Sequence, residues 1–234
     1  MINYYEQHDR ILVAVDCIIF GFDRRGLKLL LIKRDFEPEK GRWSLMGGFV
    51  NKDEDLDEAA QRILHTLTGL KNIYLEQLHG FGRVDRDPVE RTLSIAYYAL
   101  INIKEHDKEL LDQYSAQWFP VNNVPDLIFD HDKMIETAKK RLKYRASHKP
   151  VGFELLPKKF TLPELQNLYE SIYETHLDKR NFRRRILEMD ILTKTDEKQK
   201  KYSKKGAYLY KFNEAKYLEK VDQGDNMTFK PLKL

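Results

Sequence analysis

Six apolar residues, Leu56, Ala59, Ala60, Ile63, Leu64 and Leu67, recur at i, i+3, i+4, i+7, i+8 and i+11. That spacing predicts one amphipathic helix laid along a core by a single stripe. Gly48 and Gly69 bracket the helix, and Glu54 and Arg62 stand at its start and middle. The chain before it is strand-like. Val13 to Phe20 and Leu27 to Ile32 are apolar runs, separated by the turn signal Asp23-Arg24-Arg25-Gly26. A loop from Phe36 to Arg42 then leads into Trp43-Ser44-Leu45-Met46-Gly47-Gly48-Phe49-Val50. Strand, turn, strand and helix in this order confine the segment to a sheet covered by a helix.

The same stretch resembles the box that defines the Nudix family: Gly, five residues, Glu, seven residues, then Arg-Glu-aliphatic-x-Glu-Glu-x-Gly-aliphatic. Gly48, Glu54, Arg62, Leu64, Gly69 and Leu70 fall on its register, and the Trp43-to-Val50 lead-in is family-like. Ile63, Thr66 and Leu67 occupy the positions where the box has glutamates. Mg²⁺ takes oxygen ligands, usually carboxylates, waters and substrate phosphates, and a hydrolytic site needs that charge beside the pyrophosphate. Residues 63 and 67 lie one helical turn apart, so carboxylates there would converge on one ion. Ile63 and Leu67 make a dry apolar surface instead, and Glu54 is left as a vestigial ligand. No catalytic residue and no metal site is expected, with Mg²⁺ needed only if the chain is a hydrolase after all. That competing reading pairs Glu54 with carboxylates borrowed from Asp53, Asp57, Glu58 or the loop at Asp85.

Beyond the helix, Ile73 to Gln77 and Leu93 to Ile103 are strand-like, with a polar loop from Asp85 to Arg91 between them. Gln117 to Val121 leads to Leu127-Ile128-Phe129-Asp130-His131, which opens a helix from Asp132 to about Ala146. Asp130 or Asp132 reads as its cap, and Asp130 with His131 as a less favoured charge-relay pair. Asp16 interrupts an apolar strand. A buried carboxylate needs a partner, and Lys33 or Arg34 on the next strand can supply one; a structural ion pair and a ligand contact are both open. A small molecule in the cleft would meet Asp16, Lys33, Arg34, Trp43, Asp85, Glu90 and Arg91.

The charge is uneven. From Lys149 to the C-terminus there are 19 basic against 13 acidic residues, a net of +6, whereas the whole chain carries +4. Such asymmetry suggests that the basic part meets an anionic polymer or surface. Cys17 is the one cysteine, so no disulfide forms within the chain, and a buried inert thiol in a reducing compartment is expected. With neither a bilayer-length apolar run nor a signal peptide, the chain reads as cytoplasmic and free of membranes.

Helix signals resume after Pro157. Thr161-Leu162-Pro163-Glu164 is a capping box with proline in the first turn, and Leu165, Leu168, Tyr169, Ile172 and Tyr173 form its stripe. After a turn at Thr175 to Leu177, Asp178 caps a second helix, Lys179 to Met189, with Phe182, Ile186 and Met189 on one face. A strand from Ile191, a basic loop from Asp196 to Gly206 and a return strand Ala207 to Phe212 resemble a wing. From Lys179 to Lys205 there are 11 basic and 4 acidic residues. The charge thus coincides with the two elements that a winged helix-turn-helix presents to DNA. Lys179, Arg180, Asn181, Arg183 and Arg184 are candidates for base or phosphate contacts, and Lys200, Lys201, Lys204 and Lys205 for phosphates alone.

A degenerate Nudix domain followed by a winged helix resembles the Nudix-related transcriptional regulators of bacteria, over about Arg10 to Phe212. The expected class is α+β: an α/β/α sandwich with a mixed sheet at 1–147, a winged helix-turn-helix at 148–220, and a flexible tail at 221–234. The resemblance implies a homodimer on a near-palindromic double-stranded DNA operator, most simply as a repressor. It also implies a Nudix part that senses a small molecule. Some members bind ADP-ribose and govern NAD metabolism. A Bacteroidetes branch, which this sequence resembles most, responds to L-arabinose or related sugars and governs their catabolism. The apolar surface at Ile63 and Leu67 suits a neutral pentose better than a pyrophosphate, so L-arabinose is the favoured effector and ADP-ribose the alternative.

Overall fold

The computed structural model describes residues 4–23, 25–105, 114–149, 152–200 and 205–224. Arg24, Lys201, Lys204 and the end of the chain from residue 225 lie outside them. Their described parts fall into two compact units. One comprises Met1–Phe20, Leu29–Ala99 and His106–Ala138, the other Gly21–Lys28, Leu100–Glu105 and Lys139–Leu234. No described helix is long and apolar enough to cross a membrane.

The first unit is built on a mixed sheet. Strands β1 (Leu12–Asp23), β2 (Gly26–Lys33), β3 (Trp43–Ser44), β4 (Met46–Phe49), β5 (Glu76–Phe81), β6 (Thr92–Asn102) and β7 (Ala116–Pro120) run in the order β3-β2-β1-β6-β5, with β4 on β1 and β7 on β2. β1 is buried without a break from Ala14 to Phe22, the mark of a strand covered on both faces. The Cys17 thiol is buried there and lies 3.6 Å from the Ala60 carbonyl. Burial pushes its pKa far up, so it is an inert thiol.

The stripe forms helix α1 (Leu56–Thr68), with Ala59, Ala60, Ile63 and Leu64 buried. The Glu58 carboxylate accepts from the Asp55 amide at 2.9 Å. Gly69 ends the helix at φ 73°, a left-handed conformation that glycine adopts without strain. Strand β5 starts at Glu76 rather than at Ile73. Ile73 is buried, but its carbonyl is taken at 2.6 Å by the Gln61 side chain instead of by a ladder partner. Helix α2 spans His131–His148.

In the second unit the capping box forms as expected: Thr161 Oγ1 accepts from the Glu164 amide at 3.3 Å, and the Glu164 carboxylate accepts from the Thr161 amide at 2.9 Å. Helix α3 (Leu162–Tyr173) buries Leu165, Leu168, Tyr169 and Ile172. Helix α4 (Lys179–Glu188) buries Phe182 and Ile186. The tight turn between them is held by several ties. Glu174 ends α3 at φ 54° and is paired with Lys139 at 2.7 Å and with Lys143. Gln166 Nε2 donates to the Leu177 carbonyl at 2.9 Å. Asp178 caps α4 by accepting from the Asn181 amide at 2.9 Å.

The wing is larger than the sequence indicates. β9 runs Leu192–Gln199 and pairs antiparallel with β10 (Ala207–Phe212), which also pairs with the short β8 (Phe160–Thr161). Asp196, Glu197 and Lys198 belong to β9 and not to the loop, because an exposed ribbon leaves their charges in water and the Thr195 hydroxyl ties to the Leu209 carbonyl at 3.0 Å. A further helix, α5 (Glu214–Asp222), capped by Asn213 on the Lys216 amide at 3.1 Å, was not anticipated.

The Thr161 cap is buried, so Thr161→Ala should cost about 1–2 kcal/mol of stability. A shift in the urea midpoint at unchanged m-value checks this.

Candidate functional site

The residues that keep the Nudix-box register are tied to one another. Arg62 Nε donates to Glu54 Oε2 at 2.7 Å, and Arg62 Nη2 donates to the Phe49 carbonyl at 3.0 Å. The Asn51 amide donates to Glu54 Oε1 at 2.7 Å. These bonds, first of all those from Arg62, hold the Glu54 carboxyl at a pKa of about 2. Glu54 and Arg62 thus clamp the approach to α1. Ile63 is buried against Gly48: a Cβ on that glycine would lie 2.9 Å from Ile63 Cδ1. Thr66 is exposed and Leu67 half-buried. Of the carboxylates that a hydrolase would borrow, three have other partners: Asp57 accepts from the Tyr97 hydroxyl, Glu58 caps α1, and Asp85 accepts from Arg83 at 2.7 and 3.0 Å, while Asp53 is exposed. Among the described residues no three His, Cys, Asp or Glu side chains gather as a metal site would require.

A second polar group is buried inside the sheet. Asp16 accepts from the Ser94 hydroxyl at 2.6 Å, with Arg86 Nη2 at 3.6 Å and His131 Nε2 at 3.4 Å. Arg86 also donates to Asp130 from Nε at 3.2 Å and from Nη2 at 3.0 Å. All five side chains are buried. The Leu45 amide donates to His131 Nδ1 at 3.1 Å, so Nδ1 carries no proton and the ring N–H lies on Nε2, facing Asp16. Gly47 stands opposite Asp16 in the β1–β4 ladder. A Cβ there would come within 2.2 Å of Asp16 Oδ1, which is the physical reason for glycine at that position.

This group corrects one expectation and removes one less favoured reading. Asp16 is met by Arg86, Ser94 and His131, whereas Lys33 is exposed and the Arg34 Nε is spent on the Pro38 and Phe36 carbonyls at 2.6 and 3.1 Å. Asp130 and His131 are not a relay pair, because Asp130 takes Arg86 and His131 takes Asp16. Reasoning from sequence missed Arg86, Ser94 and His131 as members. The alternation Asp85-Arg86-Asp87 was the available signal, since a turn that exposes Asp85 turns Arg86 inward.

The remaining candidates fall into two groups. Lys33 and Trp43 face each other in the β2–β3 ladder, with Lys33 Nζ 5.9 Å from the Trp43 ring. The Arg34 guanidinium lies 3.7 Å from the Phe36 ring and 5.6 Å from that of Phe129. The second group surrounds Arg83, whose side chain holds Asp85 and whose carbonyl accepts from Arg91 at 3.2 Å. Glu90 is exposed beside it. In the winged helix, Lys179, Arg180, Asn181, Arg183 and Arg184 are all exposed on α4, and Lys200 and Lys205 are exposed on the wing. Arg184 lies 3.4 Å from Asn181 Oδ1 and 3.9 Å from Glu188.

Burial lowers the His131 pKa from its ordinary 6.5, against the opposing pull of Asp16. The other charged groups acting on the ring are Arg86, Asp130 and Arg34. The unfolded chain therefore takes up a proton near pH 6.5 that the folded one refuses, and stability falls as pH drops below that value. The His131 contribution is a slope of at most about 1.4 kcal/mol per pH unit. Urea unfolding between pH 5 and 7 should show His131→Gln with a flatter pH dependence than the parent chain.

Comparison with known proteins accords with both units. The NUDIX domain family matches residues 10–138, and the NrtR DNA-binding winged helix domain family matches residues 152–212. The chain is 37% identical over 205 residues to the ADPR responsive transcriptional repressor NtrR of Acinetobacter baylyi, covering 86% of this chain and 82% of that one. It is similar to the crystal structure of Shewanella oneidensis NrtR complexed with a 27mer DNA, with a TM-score of 0.78, 29% identity, and 94% and 99% of the two chains covered. The NUDIX domain of the same Shewanella protein, complexed with ADP ribose, matches at a TM-score of 0.52 and 30% identity, over 60% of this chain and 94% of that one. A Nudix domain joined to a winged helix, and similarity along most of its length to such a repressor, make this chain a member of the NrtR family of Nudix-related DNA-binding transcriptional repressors.

Proposed function

We propose that the Nudix domain of this repressor reports the presence of a pentose-bearing effector without hydrolysing it. The observation that carries the reading is the fate of the carboxylates around α1. Glu54 is held by Arg62, Asp57 by Tyr97 and Glu58 by the Asp55 amide, while Ile63, Thr66 and Leu67 fill the positions of the metal ligands. A diphosphate bound here meets no carboxylate-held Mg²⁺ to polarise it, so binding is not followed by turnover.

ADP-ribose is the first form of the effector to consider, because the relatives whose names specify an effector specify that one. Lys33 and Arg34 beside Trp43, Phe36 and Phe129 support it, since aromatic faces next to cations suit a base and its phosphates. The regulated genes would then belong to NAD metabolism. A free pentose such as L-arabinose, with sugar catabolism as the output, is the second form. Half-buried Leu67 favours it, because a neutral sugar needs no metal there, whereas Ile63 is buried against Gly48 and offers no surface. In both cases the effector acts by binding one arrangement of a homodimer better than another, and so changes the fit of two recognition helices to a near-palindromic operator.

Thermal shift with ADP-ribose and with L-arabinose, each in Mg²⁺ and in EDTA, tests this together with chromatography of the recovered ligand. One of the two should raise the melting temperature, at 100 Kd by the equivalent of about 2.7 kcal/mol, with no need of Mg²⁺ and with the ligand intact. Turnover of ADP-ribose that is abolished by Glu54→Gln would overturn the non-catalytic reading. Stabilisation by neither ligand would overturn the pentose.

A further inference from the structure

The wing carries a group that the recognition-helix arginines do not account for. Lys198 stands directly opposite Tyr208 in the β9–β10 ladder, and a register shift follows between Tyr208 and Tyr210. The result is that two ammonium groups converge on one ring: Lys194 Nζ lies 3.7 Å and Lys198 Nζ 4.4 Å from the Tyr208 centroid. An aromatic face attracts a cation, but two cations brought to one ring repel each other. Among the described residues no carboxylate pairs with either lysine. Glu197, between them in sequence, is taken by Lys159 instead.

Tyr208 also forms one wall of a hollow of about 250 Å³ in the same unit. Lys179 and Arg183 of α4 also line it, and Phe182 and Tyr210 contribute buried rings. The hollow is therefore basic on the helix side, and its Tyr208 ring is the one that Lys194 and Lys198 approach. Nothing in it reads a base edge from the wing, because a lysine ammonium is a point charge without the forked geometry of arginine.

We propose that Tyr208, Lys194 and Lys198 form a phosphate grip on the wing, which takes the DNA backbone beside the major groove that α4 enters. The ring positions the two ammoniums and the phosphate offsets their mutual repulsion. Lys194 and Lys198 thus contribute affinity and register but no sequence preference. This rests on DNA binding by the winged helix, and the test separates the two.

Fluorescence anisotropy of the full chain on a labelled random-sequence duplex, across a salt series, reads the grip through counterion release. Each phosphate contact contributes about 0.9 to the slope of log K against log salt. The double substitution Lys194→Ala with Lys198→Ala should make that slope shallower by about 2, and weaken operator and unrelated duplexes by the same factor. Tyr208→Leu should lose part of the slope, while Tyr208→Phe, which keeps the ring, should retain it. Thermal melts confirm that each variant is folded. An unchanged slope in the double variant, with Arg183→Ala still weakening binding, would overturn the grip and leave DNA binding standing. A Tyr208→Leu variant that behaves like the parent would overturn the positioning role of the ring. A parent chain without salt-dependent duplex binding would overturn both.

Discussion

The buried Asp16 carboxylate is the constraint around which the Nudix unit is arranged. Leaving water costs an ion several kcal/mol unless charge and hydrogen bonds replace what it loses. Here the replacements come from separate parts of the chain: Ser94 from β6, Arg86 from the loop before it, and His131 from the start of α2. Arg86 carries the network on to Asp130, and the Leu45 amide fixes the His131 tautomer. Gly47 leaves the space that the carboxylate fills. Strand, loop and helix are thereby held in one register by a group that has to be satisfied completely.

The residues of the box around α1 that keep its register have structural roles of their own. Glu54 and Arg62 tie the end of β4 at Phe49 and the Asn51 amide after it to the helix. Gly48 keeps its place because Ile63 packs against it. These contacts position a helix and need no metal to do so. At 63, 66 and 67, where the box has glutamates, Ile63, Thr66 and Leu67 supply no carboxylate oxygens.

The fold was legible where local periodicity and burial agree. The α1 stripe, the apolar run of β1 on either side of Asp16, the Thr161 capping box and the Phe182–Ile186 face of α4 all follow from spacing alone. The partners of Asp16 were not legible, because Arg86, Ser94 and His131 lie 70 or more positions along the chain and only the sheet brings them together. Lys33 and Arg34 were the natural choice from the neighbouring strand, but an exposed lysine and an arginine already bonded to carbonyls cannot serve. The end of the wing was misplaced for a different reason. Charged residues at 196–198 read as loop, yet an exposed two-stranded ribbon accepts them without cost. Helix α5 was missed although Asn213 is a good capping residue, because its apolar side chains are not buried.

α2 runs without interruption from His131 to His148. Its first residue belongs to the Asp16 network, and its later Lys139 and Lys143 hold Glu174, the left-handed residue that ends α3 ahead of the recognition helix. Coupling between sites is reciprocal at equilibrium: an effector that changes DNA affinity by some factor must have its own affinity changed by DNA by the same factor. The most direct test is therefore a linked titration, in which operator affinity is measured with and without saturating effector, and effector affinity with and without saturating operator. The expected result is a factor different from one, equal in the two directions, with the effector recovered intact. Operator affinity that does not respond to a bound effector, or that responds only while the effector is being consumed, would contradict it.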